Sequence, residues 1–418
     1  MPQLNKFGRK LRTSMIFLLV ILSQHSAKAE VDFSDNYERI YQIRVLSPEA
    51  GSKSSIGSGF QVSSDGLIVT NYHVVSQFVN APKNHRIEYV TDNGEKGLLE
   101  LLDFDVIADL AVLRHPNPAT EFFTLDASVL SKGETAHALG NPGDWGIIMV
   151  SGATNGFVEH SYEDRVLFSG SLNAGMSGGP SLNDNGQVVG INVATAGSQL
   201  SFLVPAQKAV ALLERSKTLD KNDYQTEIAR QIKTWQRPRI QELIDEPWPI
   251  EDFVGKPLFG EIRHDFQCWG NTNESKEERQ VAVADKNCRS GDDIYLSYEL
   301  NAGQIVFHLH SRESVSLNDS QFAQRQRTSL WADNGSNFDY STNYRCESDF
   351  INTEDSSKSY RRLISCVRAF KKLPGLFDSL LLIQDHEADK TFKAHLSLSA
   401  VERDQIKALH KRFIEALL

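Results

Sequence analysis

Ser177 is the clearest candidate for a reactive residue in this sequence, because it lies in the glycine-rich stretch NAGMSGGPSL at residues 173–182. Glycine adopts backbone conformations that side chains forbid, so the N–H groups of Gly175 and Ser177 can converge on one point. Two such donors stabilise the oxyanion that forms when a serine hydroxyl attacks a carbonyl. Taken alone, the stretch is equally compatible with an ordinary glycine-rich turn.

A serine nucleophile needs a base, and a carboxylate that orients the base. His73 follows the predicted strand 67–70 in VTNYHVV, at a strand end where a loop can present it. Asp109 directly precedes the apolar segment 110–113, from which its carboxylate can point inward. A lone histidine is more often structural, so neither residue is decisive without the other.

Other titratable residues have simpler expected roles. Asp103 and Asp105 precede Asp109 in a loop-like segment, and we expect both carboxylates to be solvated. His308 and His310 alternate on a predicted strand and share a face, but they lack a third ligand and are interpreted as a surface pair. The sequence contains no C-x-x-C motif. It therefore predicts neither a metal site nor a cofactor.

Four ordered motifs carry a family resemblance: GSGFQVSSDGLIVTNYHVV, ADLAVL, LGNPGDWGIIMVSGATNGFVE and GMSGGPSLNDNGQVVGIN. Together they resemble the trypsin-like serine peptidases, most closely the bacterial HtrA/Deg-like branch. The order His, Asp, Ser and the intervals (109 − 73 = 36 and 177 − 109 = 68) are similar to those of the family. The resemblance covers roughly residues 40–210.

The resemblance implies a role for each residue. Ser177 is the nucleophile, His73 is the general base and then the acid, and Asp109 orients His73. The backbone N–H groups of Gly175 and Ser177 form the oxyanion hole. The implied fold is all-β, two packed six-stranded barrels with the site in the cleft between them. A helical connector and a separate α+β domain are expected to follow.

Two departures from the family limit what it implies. Met176 stands where activated digestive proteases carry an aspartate that pairs with a freed N-terminus, so activation by N-terminal insertion is not expected. HtrA-like proteases lack that aspartate too, but they usually carry PDZ domains. Residues 206–418 show no recognisable PDZ pattern, which puts assembly and regulation by that route in doubt.

The resemblance also suggests a specificity pocket. Its base is often the residue six before the nucleophile, here Ser171, which carries no charge to hold Lys or Arg. Thr195, Phe202 and Val204 are the candidate walls. We expect an aliphatic or small residue before the cleaved bond.

The N-terminus predicts export. Residues 1–29 have a basic start, a short apolar run MIFLLVIL and an A-K-A cleavage site. This pattern is typical of a secretory signal peptide. The mature chain would begin at Glu30 and reside in the periplasm or outside a bacterial cell. Five Lys/Arg leave with the peptide, so the net charge becomes −10 − 5 = −15. An acidic chain is a poor partner for nucleic acid, and no later segment is apolar enough to span a membrane.

The composition divides the chain into a protease domain at 30–215, a helical linker at 216–250 and an α+β domain at 251–418. Turn signals SSDG and NDNG separate predicted strands in the first part. A helix is expected after Pro205, and a second, around Ile228, Ile232 and Trp235, should break or kink at Pro238.

In the third part, Asn301-Ala302-Gly303 suggests a hairpin between DIYLSYEL and QIVFHLHS. The chain should end in a helix capped by Ser399, with Glu402 completing a capping box. The apolar face of this helix is expected to consist of Ile406, Leu409, Phe413 and Leu417.

All four cysteines, Cys268, Cys288, Cys346 and Cys366, lie in the third part. An even number in an exported chain predicts disulfides, and four cysteines allow three connectivities. The equal separation of 20 residues favours the neighbour pairs Cys268–Cys288 and Cys346–Cys366. We expect reductant to destabilise this part and to leave cleavage of small peptides largely unchanged.

The main functional prediction is a serine endopeptidase that acts on proteins or peptides, including unfolded proteins. One alternative is a catalytically silent trypsin-fold binding or chaperone module, which the complete triad disfavours. An esterase is the other, because GMSGG fits the G-x-S-x-G pattern. However, Pro180 and a hairpin follow the serine where an α/β-hydrolase has a helix, and the serine there precedes the histidine. The sequence indicates no oligomeric state.

Overall fold

The computed structural model describes residues 34–47, 49, 51–128, 131–143, 145–197, 199–216, 223–274, 278–326, 339–351 and 360–417. The predicted signal peptide and the mature start at Glu30 lie outside these residues. Among the described helices, none has the length and apolar character that a membrane crossing requires.

The first part of the chain forms a closed antiparallel barrel, after a 3-10 helix at Ser34–Arg39. Neighbouring strands around this barrel follow the order β1-β2-β3-β6-β5-β4. The predicted turn at residues 63–66 joins β2 to β3 as expected. The elements are β1 (Ile40–Ser47), β2 (Ser52–Gln61), β3 (Leu67–Thr70), α1 (Tyr72–Asn80), β4 (Arg86–Val90), β5 (Lys96–Asp105) and β6 (Leu110–Arg114).

A second closed barrel follows, with the order β10-β11-β12-β9-β8-β7. The predicted NDNG turn joins β10 to β11, so a hairpin and not a helix follows Ser177. The strands are β7 (Thr135–Gly140), β8 (Ile148–Phe157), β9 (Val166–Phe168), β10 (Pro180–Leu182), β11 (Val188–Gly197) and β12 (Leu200–Pro205). The expected pair of six-stranded barrels is therefore confirmed.

Two helices follow the barrels, α2 (Ala206–Arg215) and α3 (Tyr224–Asp245). The first begins after Pro205 as predicted. Of the predicted break or kink at Pro238, the break does not occur, because α3 runs through this residue as one helix of 22 residues. An interior proline costs roughly 3 kcal/mol. Burial of Trp235, Arg239 and Ile240 beside it offsets that cost.

The third part is built on an antiparallel seven-stranded sheet, in the order β15-β16-β19-β23-β22-β21-β20. Two small two-stranded sheets, β13-β14 and β17-β18, flank it. The strands are β13 (Ile250–Phe253), β14 (Lys256–Phe259), β15 (Phe266–Thr272), β16 (Val281–Ser290), β17 (Ile294–Ser297), β18 (Leu300–Ala302), β19 (Ile305–Ser314), β20 (Arg345–Ile351), β21 (Tyr360–Ala369), β22 (Phe377–His386) and β23 (Lys390–Val401). The helices of this part are α4 (Asp319–Gln326) and α5 (Arg403–Glu415).

Both disulfides join directly opposed residues of adjacent strands. Cys268 faces Cys288 across β15 and β16, and Cys346 faces Cys366 across β20 and β21. The structure contains these two bonds, which are the predicted neighbour pairs.

Two local predictions in this part are wrong. The hairpin near Gly303 lies earlier, because β17 pairs with β18 and the turn falls between Ser297 and Leu300. Ser399 does not cap α5, because it remains in β23 and donates its N–H to Gln304. The carboxylate of Glu402 pairs with Arg237 at 2.8 Å instead of closing a capping box.

The predicted apolar face of the last helix is confirmed, since Ile406, Leu409, Phe413 and Leu417 are all buried.

One hydrophobic core joins the first barrel to later parts of the chain. It contains Val74, Val75 and Val79 of α1 together with Ile232 of α3 and Leu296 of β17. Further members include Ile294, Ala302, Phe370, Leu373, Leu376 and Ala400. The division at 30–215, 216–250 and 251–418 remains a prediction, and residues from all three segments share this core.

Candidate active site

His73 is the second residue of α1, and not part of a loop as predicted. The helix begins immediately after β3, with Asn71 as its N-cap residue. Its buried side packs into the first barrel through Tyr72, Val74, Val75 and Val79. The Ser76 hydroxyl donates a 3.0 Å hydrogen bond to the His73 carbonyl, so the backbone of His73 is held within the helix.

Asp109 binds His73 with both carboxylate oxygens. Oδ2 lies 2.7 Å from His73 Nδ1, and Oδ1 accepts the His73 backbone N–H at 2.9 Å. The Asn71 side-chain amide donates to the Asp109 carbonyl at 2.8 Å. Asp109 has a φ of 58°, which is uncommon for a residue other than glycine, and these three bonds hold it there. The carboxylate can therefore fix both the orientation and the tautomer of the imidazole.

The environment of His73 raises its pKa above the ordinary value for histidine. Burial of the ring lowers its pKa, but the charge of Asp109 and the hydrogen bond to it outweigh burial. The pKa of His73 is therefore raised above 6.5. The side chain is 28% exposed, so a substrate can still reach it.

Ser177 lies within the nucleophile loop, residues 173–179, and Gly57 of β2 separates this loop from α1. A Cβ atom added to Gly57 would lie 2.4 Å from Val74 of α1 and 3.1 Å from the Ser177 carbonyl oxygen. The Ser177 hydroxyl donates a 2.7 Å hydrogen bond to the Val193 carbonyl of β11. Within the described part of the chain it makes no hydrogen bond to His73.

The nucleophile loop presents two free backbone donors. Met176 N–H donates to the Asn173 carbonyl at 3.0 Å, closing a turn with Gly175 in its third position. Gly175 has a φ of 98°, the positive value that a type II turn requires there. The N–H groups of Gly175 and Ser177 have no acceptor among the described residues. Both donors remain available for an oxyanion, while the Met176 side chain is buried in the second barrel.

Ser58 was not predicted as a site residue, although it lies in the GSGF segment. Its N–H donates to the Ser177 carbonyl at 2.7 Å, and its hydroxyl donates to the Gly175 carbonyl at 2.7 Å. The same hydroxyl accepts the Asn141 N–H at 2.9 Å. A serine between two glycines in the histidine motif was the only signal. Ser58 fixes the nucleophile loop of the second barrel from the first barrel.

Asn192 was also missed, because nothing in the GIN sequence marks its side chain. Its amide donates to the carbonyls of Leu139 and Met176, and its side-chain oxygen accepts the Ser181 hydroxyl. These bonds fasten the far side of the nucleophile loop to the second barrel.

The candidate pocket residues that the structure describes differ in their exposure to solvent. Ser171 is exposed, and Phe202 is half-buried opposite Ala194 of β11. Val204 is only 1% exposed and packs in the core with Ile191. This side chain has no accessible face, so Val204 as a pocket wall is wrong. The side chain of Thr195 lies outside what the structure describes.

The interpretation of Asp103 as a solvated carboxylate is also wrong. This side chain is fully buried and binds Arg215 at 2.9 Å. Burial raises the pKa of Asp103 more than Arg215 lowers it. Asp105 is half-buried, and its carboxylate accepts the N–H groups of Ile107 and Ala108. These bonds shape the loop that leads to Asp109.

His308 and His310 do not form a surface pair. Both bind the carboxylate of Asp285 on the neighbouring strand, and His310 is buried. Across the described residues, no group of three or more His, Cys, Asp or Glu side chains is arranged to hold a metal ion.

Comparison with known proteins shows what the barrel part of this chain is similar to. Residues 57–191 match the family model for the trypsin-like peptidase domain. The chain is 30% identical over 197 residues to human serine protease HTRA3, covering 44% of this chain and 40% of that protein. It is 32% identical over 171 residues to a probable periplasmic serine endoprotease DegP-like of Chlamydia trachomatis, covering 38% of this chain and 33% of that protein.

Among solved structures, the serine endoprotease from Yersinia pestis matches 44% of this chain and 64% of its own, at 23% identity and a TM-score of 0.38. The family model gives the two barrels the trypsin-like fold, and both curated relatives are named as serine proteases. The chain covers less than half of the length of these two relatives.

Proposed function

We propose that this protein is an exported serine endopeptidase that cleaves peptide bonds through Ser177, His73 and Asp109. The two-point binding of His73 by Asp109 carries this proposal, because it presents the second ring nitrogen as a base. The N–H groups of Gly175 and Ser177, which have no acceptor in the described part of the chain, support it independently, since they suit the negative oxygen of a tetrahedral intermediate.

The residues act in a defined order. His73 accepts the proton of the Ser177 hydroxyl while the serine oxygen attacks the scissile carbonyl. The oxyanion accepts hydrogen bonds from Gly175 and Ser177 N–H. His73 then donates its proton to the leaving amine, which leaves an acyl-enzyme on Ser177. Water then attacks this ester while His73 takes a proton from it, the bond between the acyl carbon and Ser177 Oγ breaks, and His73 returns the proton to Oγ, which releases the carboxylic acid product. Asp109 stabilises the imidazolium in both steps.

Partners and location follow from the proposal. The substrates are proteins or peptides, because DegP-like and HTRA3 relatives are named as proteases. The predicted signal peptide and the printed word periplasmic in one relative's name support export. We also propose that the activity is regulated without a PDZ domain, because residues 206–418 show no recognisable PDZ pattern. Ser171 at the expected pocket base predicts cleavage after small or aliphatic residues, which a peptide-library profile dominated by Arg or Lys would exclude.

A fluorophosphonate label and a casein assay on the mature chain test the activity. The wild-type protein should be labelled at Ser177, and Ser177→Ala should lose both labelling and cleavage. A loss of about 10⁶-fold in turnover is expected from the loss of a nucleophile. Ser54→Ala is the control, because its hydroxyl binds Val45 at the outer end of β2. Near wild-type cleavage by Ser177→Ala would disprove the assignment.

If the protein is instead a catalytically silent binding module, fluorophosphonate should not label the native protein. Ser177 donates to Val193 in this structure, and a module locked in that state would remain unlabelled while folded. Labelling of the native protein, absent after heat denaturation, therefore distinguishes the two functions.

A further inference from the structure

The β17–β18 hairpin, residues 294–302, lies against the helix that carries His73. The Leu296 carbonyl of this hairpin accepts hydrogen bonds from Tyr72 Oη at 3.1 Å and from Asn80 Nδ2 at 3.0 Å. Tyr72 and Asn80 are the first and last residues of α1. A single carbonyl more than 200 residues away in sequence therefore connects to both ends of the helix.

Tyr295 extends this contact to the imidazole. Its ring lies edge-on to the His73 ring, with centroids 6.0 Å apart and planes at 76°. This geometry is within the favourable range for aromatic pairs. Tyr295 is half-buried. Its contact with the ring of the proposed base is therefore lateral.

The hairpin is also anchored beside the loop that leads to Asp109. Asp292 accepts the Ser161 hydroxyl at 2.6 Å and the Tyr162 N–H at 2.5 Å, which ties down residues 158–165 between β8 and β9. Arg165 at the end of this segment donates to the carbonyls of Ile107 and Ala108, at 3.3 and 3.4 Å. Ala108 directly precedes Asp109.

Helix α3 supports the same loop from another side. Gln231 accepts the Val106 N–H at 2.8 Å and donates to the Phe104 carbonyl at 2.9 Å. Segments that follow the barrels thus contact the supports of both His73 and Asp109.

We propose that the β17–β18 hairpin positions the catalytic pair and that Tyr295 is a positioning residue for His73. This inference rests on the proposed peptidase function. A misplacement of about 1 Å can cost a factor of about 100 in rate. If the hairpin only covered apolar surface, its loss would change stability and leave the rate of the folded enzyme unchanged.

The central test compares Tyr295→Ala with Tyr295→Phe in the full mature chain. We expect Tyr295→Ala to lower kcat on a short peptide by about 10- to 100-fold, with little change in KM, because the base loses its lateral support. The rate of fluorophosphonate labelling should fall in parallel. Tyr295→Phe keeps the ring edge and should restore most of both rates. Tyr298→Ala in the same hairpin is the control, since Tyr298 is 92% exposed.

A second pair of variants serves if Tyr295→Ala does not fold. Tyr72→Phe removes only the hydroxyl that binds Leu296, whereas Tyr41→Phe removes a buried hydroxyl that binds Gln61 in the same barrel. Only Tyr72→Phe should lower kcat, while both should lose similar stability in thermal unfolding. Equal effects of the two variants on kcat would overturn the proposal.

Two further outcomes would overturn the positioning role of Tyr295. Unchanged kcat and labelling in a folded Tyr295→Ala protein would overturn the positioning role while wild-type labelling upheld the peptidase. A rise in KM for long peptides alone would make Tyr295 part of a substrate subsite and would overturn it as well. If the wild-type protein itself remains unlabelled, the peptidase function fails first.

Discussion

Ser58 of the first barrel donates its hydroxyl to the Gly175 carbonyl of the second barrel, 2.7 Å away. Gly175 carries one of the two proposed oxyanion donors. The peptide plane between Gly175 and Met176 is therefore held by a side chain from the opposite barrel. The Gly175 N–H belongs to the preceding peptide and has no acceptor among the described residues.

Ser58→Ala should lower kcat/KM by about 10- to 100-fold, less than the 10² to 10³ typical of removing an oxyanion donor. The change removes the acceptor of Asn141 N–H and the donor to Gly175, but it keeps the backbone bond to Ser177. Peptide hydrolysis measures the effect, with Ser54→Ala on the same strand as control. Wild-type kinetics in a folded Ser58→Ala protein would argue against this role.

The pH dependence of kcat/KM should report His73. The base works only when neutral, so activity should rise as the pH passes upward through a pKa above 6.5. In Asp109→Asn the charge that raises this pKa is gone while burial, which lowers it, remains. The acid limb should therefore move to lower pH, and the plateau should fall by about 10⁴-fold. An unshifted acid limb in Asp109→Asn would count against Asp109 as the partner of His73.

Gly178→Ala should abolish activity and strongly destabilise the protein. Gly178 has a φ of 83°, and an added Cβ would lie 2.2 Å from the Ser58 carbonyl oxygen and 2.3 Å from Thr70 Oγ1. Gly186 has a similar φ of 75° but open space around it, so Gly186→Ala should cost only about 1–2 kcal/mol of backbone strain. Urea unfolding compares the two. Equal losses would mean that the close approach at Gly178 is unimportant.

Loss of either disulfide should lower the free energy of unfolding by about 3 kcal/mol, because each closes a loop of about 20 residues. Replacing Cys346 and Cys366 together by serine, and separately Cys268 and Cys288, tests each bond by urea unfolding. Neither bond joins the β17–β18 hairpin, so cleavage of a small peptide below the melting temperature should be unchanged. Inactivation by reductant while the fold persists would contradict this separation.

Short-range patterns predicted much of this structure correctly. The turns at residues 63–66 and 183–186 and the cysteine pairs follow from local signals, whereas the two six-stranded barrels were expected from the family resemblance. The wrong predictions concern residues whose local structure depends on contacts with residues far away in the sequence. Glu402 pairs with Arg237 instead of capping α5, and α3 continues through Pro238 because its neighbours are buried.

The candidate site shows the same division. The residue types at His73, Asp109 and Ser177 were visible because their motifs are local. Ser58 and Tyr295 act through partners more than 100 residues away, and no spacing in the sequence reveals such contacts. Val204 was misplaced because the alternation of a strand does not tell which of its faces meets a core and which a cleft.

The hydrophobic core shared by α1 and the distant Ala400 has a consequence for the order of synthesis. Ala400 is made 400 − 177 = 223 residues after Ser177. At about 5–20 residues per second, this interval lasts roughly 10 to 45 s. For part of that time the histidine helix lacks Leu296 of β17, which binds both of its ends in the finished molecule. A ribosome would therefore release the barrels well before it releases their last supporting strand.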